Sequence, residues 1–297
     1  MKVRFRYKFF TLPALIVVII LVINGFSFKS IAQELYSPRI IDLSIYSDSL
    51  QKDQTVEVYL PPGYSNEKTY PVLYLLHGKD GNMKSWFNGF FGISGAKINQ
   101  TADRLIKKQS IKPMIIVSPQ IDNSYGVNTS MQARHFKDHD EGMYEDFLTK
   151  ELVPYIESQF HTERNREGRF IGGISMGGFA ALHAAISHPD LFSKAGGHSA
   201  ALRLQPGDGS GIDWLFNGRN RDQLDPLYQV DHMVSTNISV FLDHGDHDHS
   251  WLSEGNEIMF QRLTQKKVKV TYTIGKGGHD YRYWSSQTET YLKFYSS

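Results

Sequence analysis

The chain has 297 residues, 40% of them hydrophobic and 13% aromatic, with a formal net charge of +1 and no cysteine. Near-neutrality removes the electrostatic case for nucleic acid or an anionic membrane surface as a partner. The missing thiols exclude disulfides, cysteine nucleophiles and thiolate metal sites, and the length admits one large α/β domain with a substantial core.

Lys2, Arg4, Arg6 and Lys8 precede an apolar run from Phe9 to Phe26, and Ser30-Ile-Ala32 then offers a small-x-small cleavage site. That order describes a secretory signal peptide over 1–32, leaving a single domain over 33–297. An uncleaved anchor is the competing reading, because the run approaches bilayer-spanning length. The expected location is secreted or periplasmic, with no stable membrane insertion once the leader is removed.

Ile41, Leu43 and Ile45 alternate with polar residues, as do Val56, Val58 and Leu60, which predicts an antiparallel hairpin at a sheet edge. Pro71-Val-Leu-Tyr-Leu-Leu76 lacks alternation and reads as a strand buried on both faces, running into the glycine-rich turn His77-Gly-Lys-Asp-Gly-Asn82. A helix over 96–108, a buried strand over 114–119 and a long polar loop over 120–138 follow. Tyr144, Phe147, Leu148, Leu152, Tyr155 and Ile156 recur at helical spacing and predict a helix over 141–160. Beyond the stretch around Ser175 come a short strand over 192–199 and a Gly-, Asp- and Pro-rich excursion over 202–235. A strand over 237–243, a helix over 253–265, a strand over 268–274 and a closing helix over 281–295 complete the chain. This alternation describes a mostly parallel sheet with antiparallel N-terminal strands and helices on both faces.

In such a sheet the active groups lie at the carboxyl ends of the strands. Gly173-Ile-Ser-Met-Gly177 is a G-x-S-x-G elbow between an apolar strand and a small-residue helix, and it makes Ser175 the candidate nucleophile. A serine hydroxyl needs a base, and in this fold class the order is serine, acid, histidine. Only His279, in Lys276-Gly-Gly-His-Asp280, follows the last strand; His183 and His188 read as structural. The acid belongs after the preceding strand, where Asp243, Asp246 and Asp248 stand; Asp243 ends the strand, and spacing does not choose between Asp246 and Asp248. An oxyanion hole requires two backbone N–H groups, expected from Met176 and from Lys79, with Asp80 next in line. His244, His247 and His249 raise a metal reading, but only the last two share a usable spacing, so they are expected to be incidental surface histidines, with no metal or cofactor.

The chain resembles the esterase D and feruloyl esterase group of α/β-hydrolases, which includes tributyrin esterases, S-formylglutathione hydrolases and mycolyltransferases. The resemblance is carried by Tyr74-Leu-Leu-His-Gly78 with Trp86, Glu151-Leu-Val-Pro-Tyr155, Gly173-Ile-Ser-Met-Gly-Gly178, Gly245-Asp-His-Asp248 and Gly278-His-Asp-Tyr-Arg-Tyr-Trp284, and it extends from about Asp42 to the C-terminus. It implies an α/β-hydrolase fold, a Gly-x-x-Asp acid at Asp248 and the Gly-Gly-His base at His279. The implied activity is that of an exported serine carboxylesterase acting through an acyl-enzyme on acetyl, feruloyl or short-chain esters. Its implied partner is a small-molecule or carbohydrate-linked ester. The loop over 120–138 and the excursion over 202–235 are expected to rim the site, with Trp86, Tyr125, Trp214 and Phe216 as candidate walls. An acyltransferase of the same fold and a non-catalytic carbohydrate-binding protein on this scaffold are the alternatives.

Overall fold

The computed structural model describes residues 40–88, 95–204, 212–234 and 237–297. The expected leader, 1–32, lies outside them. No helix among the described residues is long and apolar enough to cross a membrane.

Eight strands form the central sheet: β1 (Ile40–Ser47), β2 (Lys52–Tyr59), β3 (Val72–Leu76), β4 (Ile115–Pro119), β7 (Arg169–Ile174), β8 (Lys194–His198), β9 (Ser239–Gly245) and β10 (Lys269–Gly275). Their order is β1-β2-β4-β3-β7-β8-β9-β10. β1 pairs antiparallel with β2, and β2 antiparallel with β4; every later pairing is parallel. The expected hairpin start and parallel continuation are both present. β3 and β4 are buried at every position, as their unbroken apolar runs require.

One face of the sheet packs against α1 (Ile98–Lys107) and the closing helix, through Ile98, Ala102, Tyr283, Tyr291 and Tyr295. The other buries Phe147, Leu152, Phe179 and, from α8 (Ser250–Gln265), Leu252 and Met259. The predicted 141–160 helix begins later, as α2 (Tyr144–Asp146), passes through a π-helical stretch at Phe147–Leu152 and ends as α3 (Val153–Gln159). Pro154 accounts for the widened turn: it has no N–H for an α-type bond, so the register loosens ahead of it and tightens after it.

Two regions read as loop contain structure. The segment over 120–138 leads into a small hairpin, β5 (Arg134–His135) with β6 (Asp140–Glu141). The excursion carries three one-turn helices, α5 (Asp213–Phe216), α6 (Arg221–Leu224) and α7 (Pro226–Gln229), the last two capped by Asn220 and Asp225 side chains. Arg219 ties the two regions together, donating to the Glu141 carboxylate at 2.6 Å and to the Thr129 carbonyl at 3.2 Å.

Candidate active site

β7 delivers Ser175 into α4 (Met176–Ser187) through a backbone that only a sharp elbow adopts: φ is +54° and ψ −117°. A non-glycine residue at positive φ is strained, and such strain persists only where the surroundings impose it. Here they do. A Cβ on Gly173 would collide with the Gly177 carbonyl, and one on Gly177 with the carbonyls of Leu76 and His77. The G-x-S-x-G spacing is therefore a steric requirement of the bend, locked by the Ser175 N–H on the His198 carbonyl (2.9 Å) and the Ala201 N–H on the Ser175 carbonyl (2.9 Å).

His279 reaches the serine from the loop after β10. Its Nε2 lies 2.9 Å from Ser175 Oγ and its Nδ1 2.9 Å from Asp248 Oδ1. With Nδ1–H donating to the carboxylate, Nε2 is left to accept the serine proton. The Asp248 side chain is fully buried, and the His279 side chain keeps 21% exposure. Burial alone would raise the Asp248 carboxyl; the hydrogen bond and charge of His279, the Ser199 hydroxyl and the His249 N–H outweigh it and hold the carboxyl below its ordinary value.

The two aspartates left open by spacing have other partners. Asp246 is exposed and accepts the Gly277 N–H at 2.9 Å, while the Asp246 and His247 N–H groups donate to the Gly275 and Gly277 carbonyls. These bonds zip the acid-bearing loop to the base-bearing loop. Asp243 is buried; its carboxylate lies 2.7 Å from His198 Nδ1 and accepts the Tyr283 and Tyr291 hydroxyls at 2.7 and 2.8 Å. Asp280 caps α9 (Tyr281–Ser296), accepting the Arg282 and Tyr283 N–H groups.

The two candidate oxyanion donors lie on different elements. Met176 opens α4, where first-turn N–H groups have no intrahelical acceptor, and no side chain caps that end. The turn after β3 abuts the nucleophile: a Cβ on Gly78 would lie 3.4 Å from the Ser175 Cβ. The Asp80 N–H is taken by Asn123 Oδ1 at 2.8 Å, which leaves Lys79 as the better placed of the two candidates. His77 fixes this turn from below. Its Nε2 accepts the Ile121 N–H at 3.1 Å, so its Nδ1 donates to the Gly78 carbonyl at 2.8 Å. Burial lowers the His77 pKa and keeps that ring neutral.

Trp86 is not a site wall. It is fully buried, its indole N–H donates to the Leu76 carbonyl at 2.9 Å, and its ring packs edge-on against His198 and Tyr291. The indole N–H is satisfied by a backbone carbonyl, so the whole side chain packs in the core instead of facing a ligand. Tyr125 stands over the start of α4, edge-on to Phe179 at 5.2 Å, and is only 6% exposed. Trp214 stays half-buried, stacked on His139 at 4.0 Å, while Phe216 lies under the Arg221 guanidinium. His183 and His188 share the Glu145 carboxylate, at 3.1 and 2.7 Å, away from the serine. Of the loop histidines expected at the surface, His244 is instead buried, because it lies on β9 and its ring meets the Tyr272 hydroxyl at 2.7 Å; His247 and His249 are exposed, the first meeting Asp246 and the second with its ring 5.4 Å from that of His279.

The family model described as "Putative esterase" matches residues 47–294. An endo-1,4-beta-xylanase/feruloyl esterase of Xylanibacter ruminicola is 30% identical over 174 residues, 57% of this chain but only 22% of the relative. An acetyl esterase of Caldicellulosiruptor saccharolyticus is 24% identical over 272 residues, covering 83% of this chain and 94% of the relative. The solved structure of a ferulic acid esterase superposes with a TM-score of 0.71 at 27% identity, covering 86% of this chain and 97% of that one.

Proposed function

The chain belongs to this esterase family, carboxylic ester hydrolases with the α/β-hydrolase fold, and we propose that it is an exported serine esterase working through an acyl-enzyme. One observation carries the reading: an unbroken Asp248–His279–Ser175 relay, both links 2.9 Å, ending on a serine held at positive φ.

In this mechanism Ser175 Oγ attacks the ester carbonyl carbon as His279 Nε2 takes the hydroxyl proton. The oxyanion that forms accepts hydrogen bonds from the Lys79 and Met176 N–H groups. Collapse breaks the bond to the alcohol, and His279 gives that oxygen its proton. Water then attacks the acyl-enzyme, with His279 again as base, releasing the acid and restoring Ser175. Asp248 remains ionised throughout and stabilises the imidazolium, a role its depressed pKa supports.

The substrates proposed are acetyl or feruloyl esters carried on carbohydrate, with short-chain acyl esters as the simplest members. The names of the relatives and the leader-like segment over 1–32 support this choice. Export predicts a secreted protein whose first residue is Gln33, checked by N-terminal sequencing. The mechanism predicts that Ser175→Ala lowers kcat on p-nitrophenyl acetate and methyl ferulate by about a thousand-fold or more, with an unchanged melting temperature. A folded Ser175→Ala protein retaining wild-type turnover would overturn it.

A further inference from the structure

The segment His198-Ser-Ala-Ala201 leaves the end of β8 and runs alongside the nucleophile. The His198 carbonyl accepts the Ser175 N–H, and the Ala201 N–H donates to the Ser175 carbonyl, both at 2.9 Å. Between these two bonds Ser199 is fully buried, and its own N–H donates to the Asp243 carbonyl at 2.7 Å. Its side chain turns toward the rest of the relay. Against burial, which raises the Asp248 carboxyl, the Ser199 hydroxyl acts together with His279 and the His249 N–H to lower it. Trp284 of α9 reaches the same place: its indole N–H donates to Ser199 Oγ at 3.2 Å, and its ring packs edge-on against the His279 imidazole with centroids 5.0 Å apart.

Two observations single out this hydroxyl. The first is the backbone. Ser199 has a φ of +46°, in the left-handed region that glycine adopts without strain, and yet the position carries a side chain. The second is the matching of donors and acceptors. Asp248 Oδ1 already receives the His279 Nδ1–H at 2.9 Å and the His249 N–H at 2.7 Å. Asp248 Oδ2 is buried and accepts no hydrogen bond among the described residues. An indole N–H can only donate, so Ser199 Oγ is the acceptor in its contact with Trp284 and keeps its own proton to give. A buried acceptor and a buried donor therefore stand side by side, and each lacks what the other supplies.

We propose that Ser199 is a positioning residue of the relay, its hydroxyl donating to Asp248 Oδ2. That bond holds the carboxylate by its second oxygen, keeps Oδ1 aimed at His279, and gives the acid a further donor while the imidazolium forms. Ser199 itself meets neither the ester nor the serine hydroxyl in this arrangement; it acts through Asp248. The inference rests on the esterase reading above and deepens it.

The test is a double-mutant cycle on the kcat of p-nitrophenyl acetate hydrolysis, built from Ser199→Ala and Asp248→Ala. Ser199→Ala alone is expected to lower kcat by about ten- to a hundredfold, the loss of one hydrogen bond to a charged group, with KM unchanged. Placed on top of Asp248→Ala it is expected to change kcat by less than about twofold, because the carboxylate it acts through is gone. A side chain that only supports the fold would lower both backgrounds by the same factor. The downfield proton resonance of His279 Nδ1–H in the resting protein reads the same carboxylate from its other oxygen, and it is expected to move in Ser199→Ala. Ser199→Gly, whose backbone takes the positive φ without strain, serves where the alanine variant folds poorly, and it is expected to lose kcat to the same extent. Wild-type kcat in the folded Ser199 variants, equal losses in both Asp248 backgrounds, or an unmoved resonance overturn the role while leaving an active esterase. No hydrolysis of any ester by folded wild type would overturn the esterase reading itself.

Discussion

Two histidine–aspartate pairs stand at neighbouring strand ends, and they are nearly identical as pairs. His279 Nδ1 lies 2.9 Å from Asp248 Oδ1, and His198 Nδ1 lies 2.7 Å from Asp243 Oδ1. What separates them is the other ring nitrogen. His279 offers Nε2 to the Ser175 hydroxyl from a loop with partial exposure, whereas His198 offers it to the Tyr295 hydroxyl at 3.3 Å inside a closed core. The Asp243 carboxylate is saturated by two tyrosines, and one of them, Tyr283, lies four residues past His279. Ser199 joins the pairs: its N–H donates to the Asp243 carbonyl, and its hydroxyl stands beside Asp248. The buried pair thus anchors the helix that follows the working base. A histidine–aspartate contact becomes catalytic only where a nucleophile and solvent access are supplied with it.

The largest break in this comparison comes from Asp248→Asn, which favours the wrong His279 tautomer. Turnover is expected to fall by about 10³–10⁴-fold, with the fold intact by circular dichroism. Asp243→Leu acts on the other pair and strands His198 and two tyrosine hydroxyls in the core. It is expected to cost about 3–5 kcal/mol and lower the melting temperature by roughly 10 °C, far more than Asp248→Asn does. If calorimetry ranks the two variants the other way, the division of labour is wrong.

Asp246→Asn sharpens the contrast from a third side. It weakens the tether to Gly277 without touching His279, so kcat is expected to stay within about tenfold of wild type. A loss as deep as that of Asp248→Asn would transfer the acid role. The smallest effect concerns acid. Asp248 has a depressed folded-state pKa, so its contribution to stability is complete above the ordinary value of 3.8 and disappears as pH falls through the depressed one. Melting temperatures of wild type and Asp248→Asn are therefore expected to converge below about pH 4.

Much of this architecture was legible residue by residue. Unbroken apolar runs marked β3 and β4, alternation marked the edge hairpin, and glycine spacing marked an elbow whose steric cause is now visible at Gly173 and Gly177. Asp246 and Asp248 were inseparable by spacing because both sit in one turn; only the path of the facing loop decides which one meets His279. Trp86 misled because sequence does not reveal which carbonyl an indole finds. The His198–Asp243 pair had a signal, a histidine and an aspartate each at a strand's carboxyl end, but pairing them required the β8–β9 register.

One feature of the sheet bears on how the site is lost. β10 is its last strand, bonded to β9 along one side only, and the loops beyond both strands are zipped together at Gly275 and Gly277. The candidate acid and base therefore sit on two loops tied to each other toward one margin of the sheet, while the nucleophile is rooted at its centre. Fraying of β10 is expected to part His279 from Ser175 before the central strands separate, so that on heating activity falls ahead of the circular dichroism signal of the sheet.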